Sequence, residues 1–126
     1  MTTIGRATSS REAVVRLTVR GTGGVRREID AVMDTGFNGY LALPARLVET
    51  LDLQGLGREQ VTLASGEVCL TRKYEASVQF AGELYPVEVV VAGESIIGMA
   101  LLWGHELRIH CKEGGRVLVA GPSIDE

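Results

Sequence analysis

The sequence predicts an all-β domain with one or two short helices. Sixteen glycines stand beside only three prolines in 126 residues, a composition typical of many short strands joined by tight turns. Valine-rich stretches alternate apolar and polar residues, which is the period of a half-buried strand. The apolar share of 45% is enough for one core, and a chain of this length leaves no room for a second domain.

Charge and hydropathy exclude several classes of protein. The 13 basic and 16 acidic residues are dispersed and give a net charge of -3, so the chain lacks the basic face of a nucleic-acid binder. The longest apolar stretches are too short to cross a membrane. The first residues lack the apolar core of a signal peptide, so we expect a cytoplasmic protein in which Cys69 and Cys111 remain thiols.

The N-terminal part of the chain predicts a tail followed by a hairpin. Residues 1–11 are polar and have no periodic apolar face, so we expect a flexible tail there, a folded domain over residues 12–121 and a second tail over residues 122–126. From Glu12 the apolar residues alternate in a first strand, and the glycine-rich turn at residues 21–24 leads into a second strand over residues 25–33.

The remaining elements follow from local patterns. A helix is predicted after Pro44, because Leu47, Val48 and Leu51 recur at helical spacing until Gly55. Two hairpins come next, with turns at 65–67 and 81–83; their strands cover 61–64, 68–71, 74–80 and 84–91. Residues 96–106 combine an apolar pair with a short helix, and strands at 107–111 and 116–120 close the chain.

One local sequence stands out as a candidate site. Three apolar residues at 31–33 lead directly to Asp34-Thr35-Gly36, so a strand delivers a carboxylate at its end. Asp-Thr-Gly is also an ordinary turn composition, and a structural turn is the first interpretation. A second motif, Ile96-Ile97-Gly98, lies downstream beyond a glycine-tipped hairpin, and the ordered pair favours a functional role.

This order of motifs resembles the retropepsin-like (clan AA) aspartic proteases, in particular the single-domain bacterial and cellular members and the protease domain of ubiquitin-shuttle proteins. In that family a strand ends in Asp-Thr/Ser-Gly, a flap hairpin follows, and an apolar-apolar-Gly segment leads into a short helix. The resemblance covers residues 12–121. It implies a closed acid-protease barrel of six to eight strands that forms a homodimer.

The activity that the resemblance implies is aspartic endopeptidase chemistry on extended peptides, with no metal and no cofactor. Such hydrolysis needs one ionised and one protonated carboxyl, yet the chain has a single Asp-Thr-Gly. The pair must therefore come from Asp34 of two chains on a two-fold axis. The main alternative is a dimeric peptide-binding or regulatory module with little or no activity, and a monomeric barrel without catalytic function is a third.

The resemblance also implies roles for the neighbouring residues. Thr35 would form hydrogen bonds across the two-fold axis, and Gly36 would let the substrate backbone approach the catalytic Asp34. Phe37 departs from the small residue of retroviral members, and its ring is large enough to fill part of the cleft. The implied substrate-binding residues are Phe37, Asn38, Ala64, Ser65, Gly66, Ile97 and Gly98.

Other chemistry-bearing residues are weaker candidates. His105, Glu106, His110 and Cys111 lie close together in the sequence but lack a metal-binding spacing, and we expect no metal site. Cys111 is expected to be a buried apolar residue. Trp103 is expected in the core, with a subunit contact as the alternative.

Overall fold

Ten strands and two short helices occupy residues 1–62 and 65–122, the part of the chain that the computed structural model describes. The strands are β1 (Thr2–Ala7), β2 (Ala13–Arg20), β3 (Arg26–Met33), β4 (Leu41–Leu43), β5 (Gln54–Thr62), β6 (Val68–Phe80), β7 (Glu83–Val91), β8 (Ile96–Ile97), β9 (Glu106–Ile109) and β10 (Arg116–Ala120). The helices are α1 (Ala45–Thr50) and α2 (Met99–Leu102). The predicted all-β class with one or two short helices is confirmed.

The strands pair in the order β5-β6-β7-β4-β8-β3-β2-β1-β10-β9. The short strand β8 lies between β3, to which it is parallel, and β4, to which it is antiparallel. An additional pairing joins β2 to β6, with Thr18 opposite Gln79. The pairings therefore form a ring, which runs from β6 through β7, β4, β8, β3 and β2 and back to β6.

The core is built by residues that are far apart in the sequence. Among the described residues no polar or charged residue is buried, so the interior is held by apolar contact. The largest fully buried side chains come from most of the strands and from the end of α1: Phe80, Leu17, Leu41, Leu43, Leu51, Ile97, Val15, Val19, Val78, Val89, Val117 and Val119.

Strand β1 lies where the sequence analysis expects a flexible tail. Its backbone pairs with β10 on one side, where Thr2 faces Val119, and with β2 on the other, where Gly5 faces Val15. A side chain at Gly5 would collide with the carbonyl oxygen of Val14, so the close approach of β1 and β2 requires glycine. These backbone contacts do not depend on an alternating apolar pattern, which explains why the sequence pattern misses them.

Several other boundaries differ from the prediction. Helix α1 follows Pro44 as predicted. Asp52, whose φ is 52°, turns the chain after this helix, and β5 then begins at Gln54 rather than at the predicted residue 61. The two strands predicted at 68–71 and 74–80 form the single strand β6. Strand β4 was not predicted, because its three residues are all buried and show no alternation. Neither helix is long and apolar enough to cross a membrane.

Candidate active site

Asp34 follows β3 directly, and its side chain is exposed. Its backbone N–H donates to the carbonyl oxygen of Ile97 at 3.0 Å, which extends the pairing of β3 with β8 by one residue. The N–H of Gly36 donates to Asp34 Oδ1 at 2.8 Å, and the N–H of Phe37 donates to the carbonyl oxygen of Asp34 at 3.1 Å. The segment is thus a tight turn of the kind that Asp favours, and it presents the carboxylate to solvent.

The two sequence motifs meet in space. The N–H groups of Gly98, Met99 and Ala100 donate to the carbonyl oxygens of Tyr40, Phe37 and Gly39 at 3.2, 2.8 and 3.2 Å. A Cβ at Gly98 would lie 2.5 Å from the carbonyl oxygens of both Phe37 and Gly39, which is far inside van der Waals contact. Glycine at this buried position therefore lets the loop after Asp34 rest directly on the start of α2.

Phe37 is half-buried, and its ring packs against two glycines. A Cβ at Gly39 would lie 2.6 Å from Phe37 Cζ, and one at Gly98 would lie 2.5 Å from Phe37 Cδ2. The ring occupies space that the two absent side chains leave. Phe37 also forms part of the wall of an open groove.

Two cavities flank the Asp34 loop. The first, which we call the terminal cavity, has a volume of about 740 Å³ and lies between Asp34 and Thr35 on one side and residues 7–13 and 109–113 on the other. The second, which we call the hairpin groove, has a volume of about 630 Å³ and lies between residues 37–41 and one face of β5, β6 and β7. The carboxylate of Asp34 is therefore at the wall of one cavity, next to the loop that forms the other.

The hairpin groove contains three charged residues that no sequence motif indicates. Lys73 Nζ lies 2.6 Å from Glu88 Oε2 and 3.7 Å from Glu59 Oε2, and all three residues line the groove. The hydrogen bond that Lys73 donates to Glu88 is the main cause that raises the pKa of Lys73. These residues come from three strands, and only the register of those strands places them together.

The structure separates the predicted substrate-binding residues into groups. Phe37 and Asn38 line the hairpin groove, whereas Ser65 and Gly66 are exposed in the turn between β5 and β6 and line neither cavity. Ala64 lies outside the described residues. The side chain of Ile97 has 0% exposure and packs in the hydrophobic core.

The weaker candidates lie in places that do not form a site among the described residues. His105 belongs to an aromatic cluster, in which its ring meets the ring of Phe80 edge-on with 5.2 Å between the two ring centroids. Cys111 is exposed, and Trp103 is exposed with 75% of its surface accessible. The expected burial of both side chains is wrong, because Trp103 follows the end of α2 and Cys111 follows the end of β9. Over the described ranges no three His, Cys, Asp or Glu side chains are grouped to hold a metal ion.

Comparisons with known proteins give a structural similarity only. No protein-family model matches the chain, and no curated protein matches it in sequence. Solved structures do match, among them the solution structure of the Simian Foamy Virus (mac) protease. The two chains share 15% sequence identity and superpose with a TM-score of 0.49, over 69% of this chain and 90% of that one.

Proposed function

We propose that this protein is an aspartic endopeptidase of the retropepsin type, in which Asp34 from each of two chains activates a water molecule. The observation that carries the proposal is the support of Asp34: an exposed carboxylate ends a strand, and the loop behind it is held by three consecutive backbone hydrogen bonds from the Gly98 segment. An acid or base must be held in place to transfer a proton efficiently. The ring of strand pairings agrees with the closed barrel that such a protease has.

The chemistry requires two carboxyls with different protonation states. One ionised Asp34 accepts a proton from the attacking water, and the protonated Asp34 of the second chain donates to the carbonyl oxygen of the peptide. Gly36 N–H already donates to Oδ1 of Asp34, and this bond fixes the plane of the carboxylate. One carboxyl must keep its proton while the other is ionised, so we expect activity at acidic to neutral pH.

A second copy of the chain is therefore part of the proposed site. Strand β9 is outermost in the pairing order, and its free edge can pair with another strand. If two copies of β9 pair antiparallel about Leu107, Glu106 of each faces Arg108 of the other, an arrangement of opposite charges that favours self-association. The exposed Trp103 lies shortly before β9 and adds apolar surface near this edge.

The hairpin groove and the terminal cavity give an extended peptide room on both sides of Asp34. A substrate strand can pair its backbone with the protein while side chains enter the cavities. We propose that Phe37 and Asn38 contact these side chains, that Ala64, Ser65 and Gly66 cover the substrate, and that Ile97 and Gly98 act from beneath by supporting the loop. Thr35, which lines the terminal cavity, is proposed to steady the two Asp34 turns against each other.

The test compares two aspartate variants of the purified protein. Asp34→Asn keeps the size of the side chain but removes its acid and base function, so we expect cleavage of a mixed extended-peptide library to fall to background between about pH 4 and pH 7. Asp30→Asn is the matched control, because Asp30 is exposed on the same strand and pairs with Arg16 at 3.0 Å. This control should retain activity.

Three results would contradict the proposal. Equal cleavage by Asp34→Asn and wild type would show that Asp34 is not catalytic. Cleavage by a species that sediments as a monomer at every concentration would remove the need for a second carboxyl. Tight binding of uncut peptide by both wild type and Asp34→Asn would favour the peptide-binding module.

A further inference from the structure

The ring of Phe37 is held by steric fit to two glycines. At Gly39, the three atoms nearest to an added Cβ all belong to that ring: Cζ at 2.6 Å, Cε1 at 2.8 Å and Cε2 at 3.4 Å. At Gly98, an added Cβ would meet Cδ2 of the ring at 2.5 Å together with backbone oxygens. The ring therefore fills the space above both glycines and contacts the two segments that they belong to.

The backbone of Phe37 joins the same segments. Its N–H donates to the carbonyl oxygen of Asp34 at 3.1 Å, and its carbonyl oxygen accepts from the N–H of Met99 at 2.8 Å. The residue thus closes the Asp34 turn on one side and is attached to the start of α2 on the other. Any shift of the Phe37 backbone must therefore move one of these two hydrogen-bonded partners.

We propose that Phe37 is a positioning residue that fixes the Asp34 turn through the fit of its ring to Gly39 and Gly98. The inference rests on the proposed function insofar as the turn matters for catalysis. The contact involves no charge, so salt does not screen it and protonation does not weaken it. The contact of the ring with the two glycines is therefore independent of ionic strength.

The fit can be tested by a double-mutant cycle. Gly39→Ala places a methyl group against the ring, which supplies its three nearest atoms. Phe37→Leu removes the ring but keeps apolar bulk, and the double variant has the methyl group without the ring. Hydrogen exchange of the Gly36 amide reports the turn, because this N–H bonds to Asp34 Oδ1. We expect each single variant to exchange about tenfold faster than wild type, an effect typical of disturbed packing.

The double variant decides the question. Because the methyl group no longer meets a ring, we expect its exchange to be close to that of Phe37→Leu alone, whereas independent effects would multiply to about a hundredfold. Gly93→Ala is the control, since a Cβ at Gly93 has open space around it, and it should exchange as wild type does.

Activity gives a second, separate readout. Phe37→Leu should lower kcat of peptide cleavage more than it raises KM, because a loosened turn affects the carboxylate more than the groove. Multiplying effects in the cycle, or unchanged Gly36 exchange in Phe37→Leu, would overturn the positioning role whatever the activity. Coupled exchange in a protein that cleaves no peptide would keep the positioning role and reject the proposed function.

Discussion

The hydroxyl of Tyr85 lies 3.2 Å from Nε2 of His105, and this contact ties β7 to the turn that follows α2. Nδ1 of the same imidazole lies 3.2 Å from the carbonyl oxygen of Leu102. A carbonyl can only accept, so Nδ1 carries the proton and Nε2 accepts from the tyrosine hydroxyl. In this tautomer the bond is made by the hydroxyl proton of Tyr85.

The first prediction concerns stability at alkaline pH. Burial, and to a lesser degree the charge of Glu83, raises the pKa of Tyr85 above its ordinary value of 10.0. The unfolded chain then loses this proton at a lower pH than the folded one, so the contribution of Tyr85 to stability is complete below about pH 10 and declines as pH rises through the raised pKa.

Urea denaturation at a series of alkaline pH values measures this decline. Lys73, whose pKa is also raised, adds a decline in the same direction, so the comparison must be made between variants. Tyr85→Phe should make the loss of unfolding free energy above about pH 10 less steep, whereas the exposed-ring control Tyr40→Phe should follow wild type. Identical slopes for all three proteins would contradict the assignment.

A second prediction concerns the close contact at Gly98. In Gly98→Ala the new methyl group meets backbone oxygens that cannot rotate away, so we expect a loss of about 2 kcal/mol or more in unfolding free energy. Thermal and urea denaturation measure it. Gly93→Ala, where space is open, should change stability by less than about 0.5 kcal/mol, and equal losses at both sites would refute the crowded geometry.

A third prediction separates a strand from a tail at the N-terminus. Removal of residues 1–7 would expose the edges of β2 and β10 that β1 now covers, so we expect a marked fall in Tm. Removal of Met1 alone, which precedes β1, is the control and should leave Tm close to wild type. An unchanged Tm in the longer truncation would support the tail that the sequence suggests.

A fourth prediction tests the core. Phe80 is 2% exposed and contacts the rings of both Tyr85 and His105, so Phe80→Ala should lower the unfolding free energy by about 3 to 5 kcal/mol. Leu84→Ala is a suitable comparison, because Leu84 is 54% exposed on the neighbouring strand. Its expected cost is below about 1 kcal/mol, and a cost similar to that of Phe80→Ala would place Leu84 in the core instead.

The helices and strands that the sequence predicts correctly are those with a pattern within their own segment. Pro44 and the apolar spacing after it give α1, and the alternation around Leu17 gives β2. Strand β1 and strand β4 were missed, because the first is held by backbone pairing on both edges and the second is too short and too buried to alternate. A pattern within one segment carries no information about such neighbours.

The residues of the candidate site likewise divide into those that a sequence motif indicates and those that it does not. The resemblance implies that Asp34 and Gly98 lie close together, and the structure brings the two motifs together. The groove residues Glu59, Lys73 and Glu88 have no motif, since their meeting depends on the register of three strands. The fit of Phe37 to its glycines was likewise beyond sequence reasoning, which could weigh the size of the ring but not its direction.

The position of β8 between β3 and β4 also constrains how the molecule is made. A chain that has emerged from the ribosome only as far as residue 95 contains Asp34 and the whole β5–β6 hairpin, but it lacks the strand that must fill the gap beside β3. Pairings between such distant segments form late, because a long loop must close first. During synthesis the loop after Asp34 therefore lacks its backbone partners on β8 and α2 until the residues around Gly98 have been made.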